Sequence, residues 1–343
     1  MQKIRFLLLP LSWVYGLITG IRNFFYNIGI LKIYQTPKKS ICVGNLAVGG
    51  TGKTPHVAYL IELLKPNHNI SVLSRGYGRK TKGFILANQK SNASEIGDEP
   101  QLYNQRYGTE INVAVCEKRV EGINQLEIKS KSTSLYILDD AFQHRAIQCG
   151  FNIIVTDYQN IYSKDWVLPA GNLREWKIAH KRADTIIVSK SPSNLTSEEK
   201  GRIIKSLKFK NNQVFFSTIV YKDLINVSKV KIDQIEHILL VTGIANPSPL
   251  EKELKKHYKL TSLKFSDHYD FTMKDIDSIH QKFDTFAADN KIIVTTEKDW
   301  MRLASILTKK QLEKYPWFFQ GMSVQIDREK EFNALINKYV NTI

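Results

Sequence analysis

From Ser40 onward, the chain alternates short apolar runs with stretches of mixed polarity that have the length of helices. Strand-length apolar runs separated by helical segments are typical of a mostly parallel β-sheet flanked by helices. We therefore predict an α/β fold of this kind. The runs in the first part of the chain are Ile41–Val43, Ile70–Leu73, Asn112–Val115, Leu135–Leu138, Phe151–Thr156 and Thr185–Val188.

A second α/β pattern begins beyond the polar stretch Lys190–Asn212. Between the two patterns, Val214–Val220 and Val227–Ile232 have the composition of linker strands. The later elements are predicted as strands at Ile238–Thr242, Leu260–Phe265 and Ile292–Thr296, with helices at Pro249–His257 and Met273–Phe286. The predicted organisation is an N-terminal segment over 1–35, a first α/β domain over 36–212, linker strands over 213–236 and a smaller C-terminal α/β domain over 237–343.

The N-terminal segment is apolar and contains no acidic residue before Glu62. Its apolar run Phe6–Thr19 is shorter than the roughly 20 residues that a membrane-spanning helix needs. Apolar and aromatic residues with basic flanks are typical of a helix that lies in the interface of an anionic membrane, and we predict such a helix within residues 1–35. A core helix packed on the next domain and a cleaved signal peptide are the alternatives.

Composition narrows the class of protein and its partners. Of the 343 residues, 43% are hydrophobic and 10% aromatic, which suits a folded core and excludes a wholly disordered chain. The formal net charge of +16 favours a nucleic acid, an anionic membrane or a phosphorylated substrate as partner. Cys42, Cys116 and Cys149 are odd in number and widely separated, which argues against a disulfide framework or zinc site and for a reducing, cytosolic compartment.

A glycine-rich loop follows the first predicted strand and precedes a helix predicted over Pro55–Leu64. This context matches a phosphate-binding loop, with Ala at the position of the usual first Gly. Backbone N–H groups and the positive end of the helix bind phosphates there, the Lys reaches the β- and γ-phosphates, and the Thr hydroxyl holds Mg²⁺. We therefore predict a P-loop NTPase-like domain that binds ATP and Mg²⁺. The predicted ATP-binding residues are Ala47, Val48, Gly49, Gly50, Thr51, Gly52, Lys53 and Thr54.

Two acidic pairs lie where a P-loop enzyme needs a metal ligand and a base. Asp139 and Asp140 end a buried apolar run. We predict that Asp139 binds Mg²⁺ or its water, and that Asp140 orients substrate or water. Asp98 and Glu99 precede a proline that can start a helix, so this pair suits either a base with a metal support or an ordinary helix cap.

Two further polar loops, 75–79 and 142–145, follow predicted strands directly. Ligands of open parallel sheets bind beyond the carboxyl ends of the strands. We therefore expect these loops to converge on the γ-phosphate.

Six motifs, in this order, resemble the tetraacyldisaccharide 4′-kinases, the lipid A 4′-kinases of Gram-negative bacteria. They are VGNLAVGGTGKTP, SRGYGRK, GDEP, ILDDAFQH, LPAGNLRE and the Asp267-His268-Tyr269 segment, spread over nearly the whole chain. The resemblance implies a kinase that uses ATP and Mg²⁺ to phosphorylate the 4′-hydroxyl of tetraacyldisaccharide 1-phosphate, giving lipid IVA, at the cytoplasmic face of the inner membrane. Asn172 and Ala141 depart from the residues usual at their positions.

The resemblance also implies roles for individual residues. Lys53 would be catalytic, Asp98 would be the general base, and His268 would hold and tune Asp98. Asp139 and Glu99 would support Mg²⁺ together with the phosphate loop. Because His268 is predicted in the second domain, the hypothesis includes a closing motion of the two domains. The implied substrate contacts are Tyr77, Arg119, Asp140, His144, Arg174 and Glu175.

Two other classes of protein compete with this interpretation. A partitioning or maturation NTPase also has a GGTGKT loop, but such proteins carry Lys before the Gly-Gly pair, where this chain has Val48. A nucleic-acid-binding module is suggested by charge alone, without a helix-turn-helix, zinc-finger or RNA-stacking signature. We therefore expect the glycolipid and the inner membrane surface as partners, no nucleic acid, and a monomer.

Overall fold

The computed structural model describes residues 5–232 and 234–342. Its helices are Leu9–Asn27 (α1), Lys53–Leu64 (α2), Ala93–Ile96 (α3), Asp98–Tyr107 (α4), Arg119–Lys129 (α5), Ser197–Leu207 (α6), Ser248–Leu254 (α7), Met273–Asp284 (α8), Glu297–Leu303 (α9), Lys309–Lys314 (α10) and Glu329–Asn341 (α11). Its strands are Tyr34–Gln35 (β1), Lys39–Gly44 (β2), Ile70–Ser74 (β3), Ile85–Leu86 (β4), Asn112–Val115 (β5), Leu135–Asp139 (β6), Ile147–Gln148 (β7), Phe151–Asp157 (β8), Thr185–Ser189 (β9), Val214–Asn226 (β10), His237–Thr242 (β11), Lys259–Lys264 (β12), Lys291–Thr296 (β13) and Trp317–Ile326 (β14).

Twelve of the described strands form one continuous sheet, in the spatial order β12-β11-β13-β14-β10-β9-β8-β2-β6-β3-β5-β4. Neighbouring strands are parallel except for β10 with β14 and β4 with β5. The short strands β1 and β7 pair with each other outside this sheet. Because parallel strands end at the same edge, the loops that follow β2, β6, β8 and β9 lie side by side.

The prediction of a mostly parallel sheet flanked by helices is confirmed, with one correction between its two halves. The first predicted linker strand, Val214–Val220, is the start of a longer strand, Val214–Asn226, whereas the second, Val227–Ile232, is not a strand. This strand is long because its first residues pair with β9 and the rest pair with β14. It therefore joins both halves into one sheet. The domain limits at 36–212 and 237–343 stay a prediction.

Three strands of the first half of the sheet are buried over their whole length. Every residue of β3, β6 and β9 is buried, as is typical of parallel strands covered on both faces. One apolar cluster extends from Ile41 and Val43 through Phe215 to Trp317 and Phe332. The same core therefore supports the strand ends of both halves.

Helix α1 packs on the body through small residues and leaves its large apolar side chains exposed. Ser12 and Gly16 are buried, whereas Trp13 is 65% and Leu17 61% exposed. Trp176 covers Gly16, and its indole N–H donates to the Gly16 carbonyl at 2.7 Å. This placement excludes the alternative of a core helix. Within the described ranges, no helix has the length and apolar character that crossing a bilayer requires.

We expect Gly16→Ala to loosen α1, because an ideal Cβ at this position would lie 2.4 Å from Cζ2 of Trp176. Overpacking of this kind costs about 1–3 kcal/mol. Gly20→Ala is the matched control, since its Cβ would lie 3.8 Å from the same side chain. Limited proteolysis between α1 and β1 should cut the Gly16 variant faster than the wild type or the control. Equal protection of all three proteins would contradict the close contact.

Candidate active site

The glycine-rich loop joins β2 to α2 at the carboxyl edge of the sheet. Gly49 and Gly52 have φ angles of +99° and +86°, in the left-handed region that glycine adopts without strain. Gly52 is the N-cap of α2, so Lys53 and Thr54 form the first turn of that helix. Unpaired N–H groups and the dipole make a helix N-terminus attractive to anions. The loop therefore has the geometry of a phosphate cradle.

The side chain of Lys53 meets an acidic residue just beyond β6. Its Nζ lies 3.6 Å from Oδ1 of Asp140, and Nη1 of Arg174 lies 3.0 and 3.1 Å from the two oxygens of the same carboxylate. Burial opposes ionisation, but Lys53 and Arg174 hold the pKa of Asp140 below its ordinary value. Asp140 therefore stays ionised and holds two cations beside the loop.

Asp139 is the more deeply buried member of the strand-end pair. It is 4% exposed, and its Oδ2 accepts a hydrogen bond from the Tyr103 hydroxyl at 3.1 Å. Burial and the neighbouring charge of Asp140 raise the pKa of Asp139 to about 7, against the opposing effect of Lys53. Because Tyr103 belongs to α4, this hydrogen bond ties the end of β6 to the helix that begins at Asp98.

The oxygen atoms around the loop suit Mg²⁺. Magnesium prefers hard oxygen ligands and usually binds through one or two protein groups together with phosphates and water. In the part of the chain that the structure describes, no three His, Cys, Asp or Glu side chains are grouped as a metal site. Thr54, Asp139 and Glu99 offer the oxygen donors, and their roles as ligands stay predictions.

Residues 170 positions apart in the chain meet in the second part of the site. Asp98 is 7% exposed, and its Oδ2 lies 3.2 Å from Nδ1 of His268. His268 follows β12 with a φ of +56°, and its ring packs edge-on against Tyr77 with centroids 5.2 Å apart. The contact that the resemblance implied is thus formed in the structure. The predicted domain closure is not needed to bring these two side chains together.

Helix α9 adds two cations that the sequence analysis missed. Nζ of Lys298 lies 3.1 Å from Nε2 of His268 and 2.8 Å from a Glu99 oxygen. Because an ammonium group only donates, Nε2 accepts and Nδ1 carries the proton donated to Asp98. Nε of Arg302 lies 3.6 Å from the same Asp98 carboxylate. The sequence signal that could have indicated them is their position directly after strand β13, since ligands bind beyond the carboxyl ends of parallel strands.

The loop that carries His268 is tied to α9 by a hydrogen bond from Arg302, which forms a buried ion pair with Asp299 within that helix. Asp299 has no exposed surface, accepts the N–H of Gly243 at 3.0 Å and pairs with Arg302. Arg302 also donates to the Tyr269 carbonyl at 2.9 Å. The N–H of His268 donates to the Gly243 carbonyl at 3.1 Å. These bonds hold the imidazole where it meets Asp98 on α4.

Two of the predicted substrate contacts are buried. The Glu175 carboxylate is 0% exposed and accepts hydrogen bonds from Arg182 at 2.6 Å, Gln143 at 3.1 Å and Asn23 of α1 at 2.8 Å. Arg119 is 1% exposed and donates to backbone carbonyls at the ends of β5 and β6, at 2.7 and 3.3 Å. Both side chains support the site from inside, and their contact with substrate stays a prediction.

Two other predicted contacts lie nearer the surface. Tyr77 is 66% exposed. His144 is half-buried, with its Nε2 donating to the Glu117 carbonyl at 3.0 Å. Burial, followed by the charge of Arg119, lowers the pKa of His144, so the ring is neutral at pH 7. Substrate binding at Tyr77 and His144 also stays a prediction.

The segment 165–176 lies between α1 and the phosphate loop. On one side, the Asn172 carbonyl accepts the N–H of Val48 at 2.8 Å. On the other side, the N–H of Ala170 donates to the Ser12 hydroxyl of α1 at 2.8 Å. One short segment therefore contacts both the N-terminal helix and the nucleotide loop.

A phosphate cradle that faces a carboxylate–imidazole pair across one sheet edge places this chain among the P-loop phosphotransferases. Comparison with known proteins names the family. The family described as tetraacyldisaccharide-1-P 4′-kinase matches residues 4–341, and the chain belongs to that family. Membership confirms the predicted P-loop kinase of lipid A biosynthesis that uses ATP and Mg²⁺. It decides against the alternative of a partitioning or maturation NTPase.

Relatives and a solved structure agree with this assignment. The chain is 40% identical to the tetraacyldisaccharide 4′-kinase of Flavobacterium johnsoniae, over 99% of this chain and 98% of that one. It is 39% identical to the enzyme of the same name from Bacteroides thetaiotaomicron, over 98% and 94% of the two chains. A crystal structure of LpxK from Aquifex aeolicus in complex with ATP aligns with a TM-score of 0.75 at 31% identity, over 98% and 99% of the chains.

A buried histidine behind the phosphate loop makes stability depend on pH. His56 is 2% exposed, with Nδ1 2.6 Å from the Gly52 carbonyl and Nε2 2.8 Å from the Ser217 hydroxyl. Burial lowers the pKa of His56 to about 4, compared with about 6.5 in an unfolded chain. The folded protein therefore holds this ring neutral. The part of the free energy of unfolding that depends on neutral His56 is complete above pH 6.5 and is lost as the pH falls toward 4.

We expect this one group to lower the free energy of unfolding by about 3 kcal/mol between pH 6.5 and pH 4. His56→Gln removes the titration while keeping a polar side chain, so the gap in stability between wild type and variant should narrow as the pH falls. Denaturant unfolding from pH 7.5 to pH 4.5 measures both proteins. A gap that stays constant over this range would show that His56 is not held neutral.

Proposed function

We propose that this chain transfers the γ-phosphoryl group of ATP to the 4′-hydroxyl of tetraacyldisaccharide 1-phosphate, giving lipid IVA, at the cytoplasmic face of the inner membrane. The observation that carries the proposal is the Asp98–His268 pair, which supplies a base at the edge that holds the phosphate loop. The Tyr103–Asp139 hydrogen bond keeps α4 beside that loop. A sugar hydroxyl bound between them would meet a base and a triphosphate together.

The loop side of the site binds and neutralises the triphosphate. Lys53 and the N-terminus of α2 lie where the β- and γ-phosphates would rest. Thr54, Asp139 and Glu99 would hold Mg²⁺, which neutralises phosphate charge when it is bound. Asp140 keeps the ammonium group of Lys53 beside the loop.

The side of the site that contains Asp98 and His268 activates the acceptor hydroxyl. Asp98 accepts the proton of the attacking hydroxyl, and His268 donates its Nδ1–H to one carboxylate oxygen, which orients the other toward the sugar. Lys298 keeps His268 in that tautomer by donating to Nε2. Phosphoryl transfer requires positioning and charge neutralisation more than covalent chemistry, and this arrangement supplies both.

The glycolipid approaches from the side of the exposed loops. We assign Tyr77, His144 and Arg174 to contacts with the phosphorylated disaccharide, since a ring, an imidazole and a guanidinium suit sugar and phosphate groups. Arg119 and Glu175 form the layer behind them, where they hold backbone carbonyls and helix α1.

Helix α1 supports the membrane part of the proposal. Its exposed apolar side chains, among them Trp13, Leu17 and Ile21, present a face that would enter the membrane interface. The chain carries a formal net charge of +16, which favours anionic headgroups. The segment 165–176 connects the opposite, buried side of α1 to the phosphate loop, so a helix bound at the interface would hold the active site near the membrane.

Transfer of labelled γ-phosphate to tetraacyldisaccharide 1-phosphate in mixed micelles tests the chemistry. Asp98→Asn keeps the side-chain shape but removes the base, so kcat should fall by about 10²–10⁴-fold, while the Kd for ATP changes less than about twofold. Lys298→Met should lower kcat by about tenfold, because His268 loses the donor that fixes its tautomer.

Lys229→Met is the control for these variants, since it removes only an exposed ion pair with Glu313, and its kinetics should match the wild type. Transfer by Asp98→Asn at the wild-type rate would remove Asp98 as the base. Failure of the wild type to phosphorylate the glycolipid would remove the proposed function itself.

Membrane binding is tested with vesicles of phosphatidylethanolamine and phosphatidylglycerol. Leu17→Gln combined with Ile21→Gln should weaken partitioning by at least about tenfold, because each buried apolar side chain contributes about 1.5–3 kcal/mol. Ile128→Gln, at a 66% exposed position on α5, is the control. ATP affinity should not change in either protein. Equal partitioning of all three proteins would refute α1 as the membrane face.

A further inference from the structure

The phosphate loop is held from behind by three side chains. The backbone carbonyls of residues 50–52 are consecutive, and each accepts a hydrogen bond from a side chain outside the loop. The donors are Lys190, Ser189 and His56, respectively. Two of these donors come from the end of β9, which is two strands away from β2 in the sheet.

Lys190 directs its side chain to the loop from a strained backbone position. Its φ is +55°, in the left-handed region that a residue with a Cβ rarely adopts. Its Nζ lies 2.5 Å from the Gly50 carbonyl and 2.7 Å from Oδ2 of Asp157 at the end of β8. The ammonium group of Lys190 therefore connects the phosphate loop to the end of β8.

The other two donors are buried. Oγ of Ser189, in a residue that is 2% exposed, lies 2.6 Å from the Thr51 carbonyl. Nδ1 of His56 lies 2.6 Å from the Gly52 carbonyl. A carbonyl only accepts, so Nδ1 of His56 carries the proton and Nε2 accepts from the Ser217 hydroxyl at 2.8 Å.

Holding these carbonyls sets the direction of the loop N–H groups. In a planar trans peptide, the C=O and the N–H point in opposite directions. The carbonyls of Thr51 and Gly52 share peptide planes with the N–H groups of Gly52 and Lys53. The N–H of Gly52 is therefore turned away from Ser189 of β9, and the N–H of Lys53 is turned away from the His56 ring. The N–H of Thr51 donates within the loop to the Gly49 carbonyl at 3.0 Å. Backbone N–H groups of this kind are what a phosphate loop offers its ligand.

We propose that Lys190, Ser189 and His56 are positioning residues for ATP, which pre-arrange the phosphate loop by hydrogen-bonding its three consecutive carbonyls. They act from the side of β2 occupied by β8 and β9, whereas Asp139 and the helix of Asp98 lie on the side of β6. Their effect is therefore on nucleotide binding and not on the acceptor. The inference rests on ATP as the phosphoryl donor and is independent of the proposed acceptor and base.

Calorimetric titration of the full chain with ATP and Mg²⁺ tests the inference without the acceptor. Lys190→Met should raise the Kd for ATP by about tenfold, and Ser189→Ala by about threefold, as expected for a lost charged and a lost neutral hydrogen bond. Lys200→Met is the matched control, because its side chain is also 32% exposed and pairs with Asp327 away from the loop. Ser191→Ala, another buried serine that donates to a backbone carbonyl, is the second control.

Steady-state transfer kinetics then separate positioning from general damage. The KM for ATP should rise with the Kd in the Lys190 and Ser189 variants, while the KM for tetraacyldisaccharide 1-phosphate stays within about twofold of the wild type. Three results would overturn the inference: an unchanged Kd for ATP in both variants, an equal rise in both KM values, or the same loss of ATP affinity in the controls. If Lys190→Met does not fold, Ser189→Ala alone decides between these outcomes.

Discussion

The carboxylate of Asp140, directly after β6, connects this strand to two other parts of the chain. It pairs with Lys53 of the phosphate loop and with Arg174 of the segment that contacts α1. Without that carboxylate, two cations would face each other in a partly buried space, which is costly unless they are neutralised. The residue also has a φ of +49°, so the chain accepts backbone strain to place it. The ATP site and the N-terminal helix therefore depend on a common charge.

A second constraint comes from α9, which holds the imidazole of the site in place. Arg302 and Lys298 reach Asp98 and His268 from this helix, and Glu297 at its start pairs with Arg106 of α4. The two halves of the chain are thus joined by ion pairs at the point where the base is prepared. The continuous sheet through β10 and β14 adds to this junction, because both halves share one sheet and one core.

The sequence predicted those parts of the site that are marked by motifs of a few neighbouring residues. A phosphate loop is a contiguous motif between a strand and a helix, and Asp139 and Asp140 follow a buried strand directly, so spacing alone was enough for them. Most strands of the sheet were predicted for the same reason, but Ile85–Leu86 and Trp317–Ile326 were missed, and the strand Val214–Asn226 was predicted to end at Val220. The Asp98–His268 pair needed the family resemblance, because nothing local marks residues 170 positions apart as partners.

The sequence by itself determined the α/β class, the nucleotide loop, the apolar N-terminal segment and the family, because these depend on periodicity and on motifs within a few residues. Only the tertiary structure determined which groups the charged side chains contact. It put Lys298 on the imidazole, brought Lys190 to the loop carbonyls and turned Glu175 inward to helix α1. Such contacts depend on the order and register of strands, which bring distant residues to one edge, and no local pattern of residues records that order.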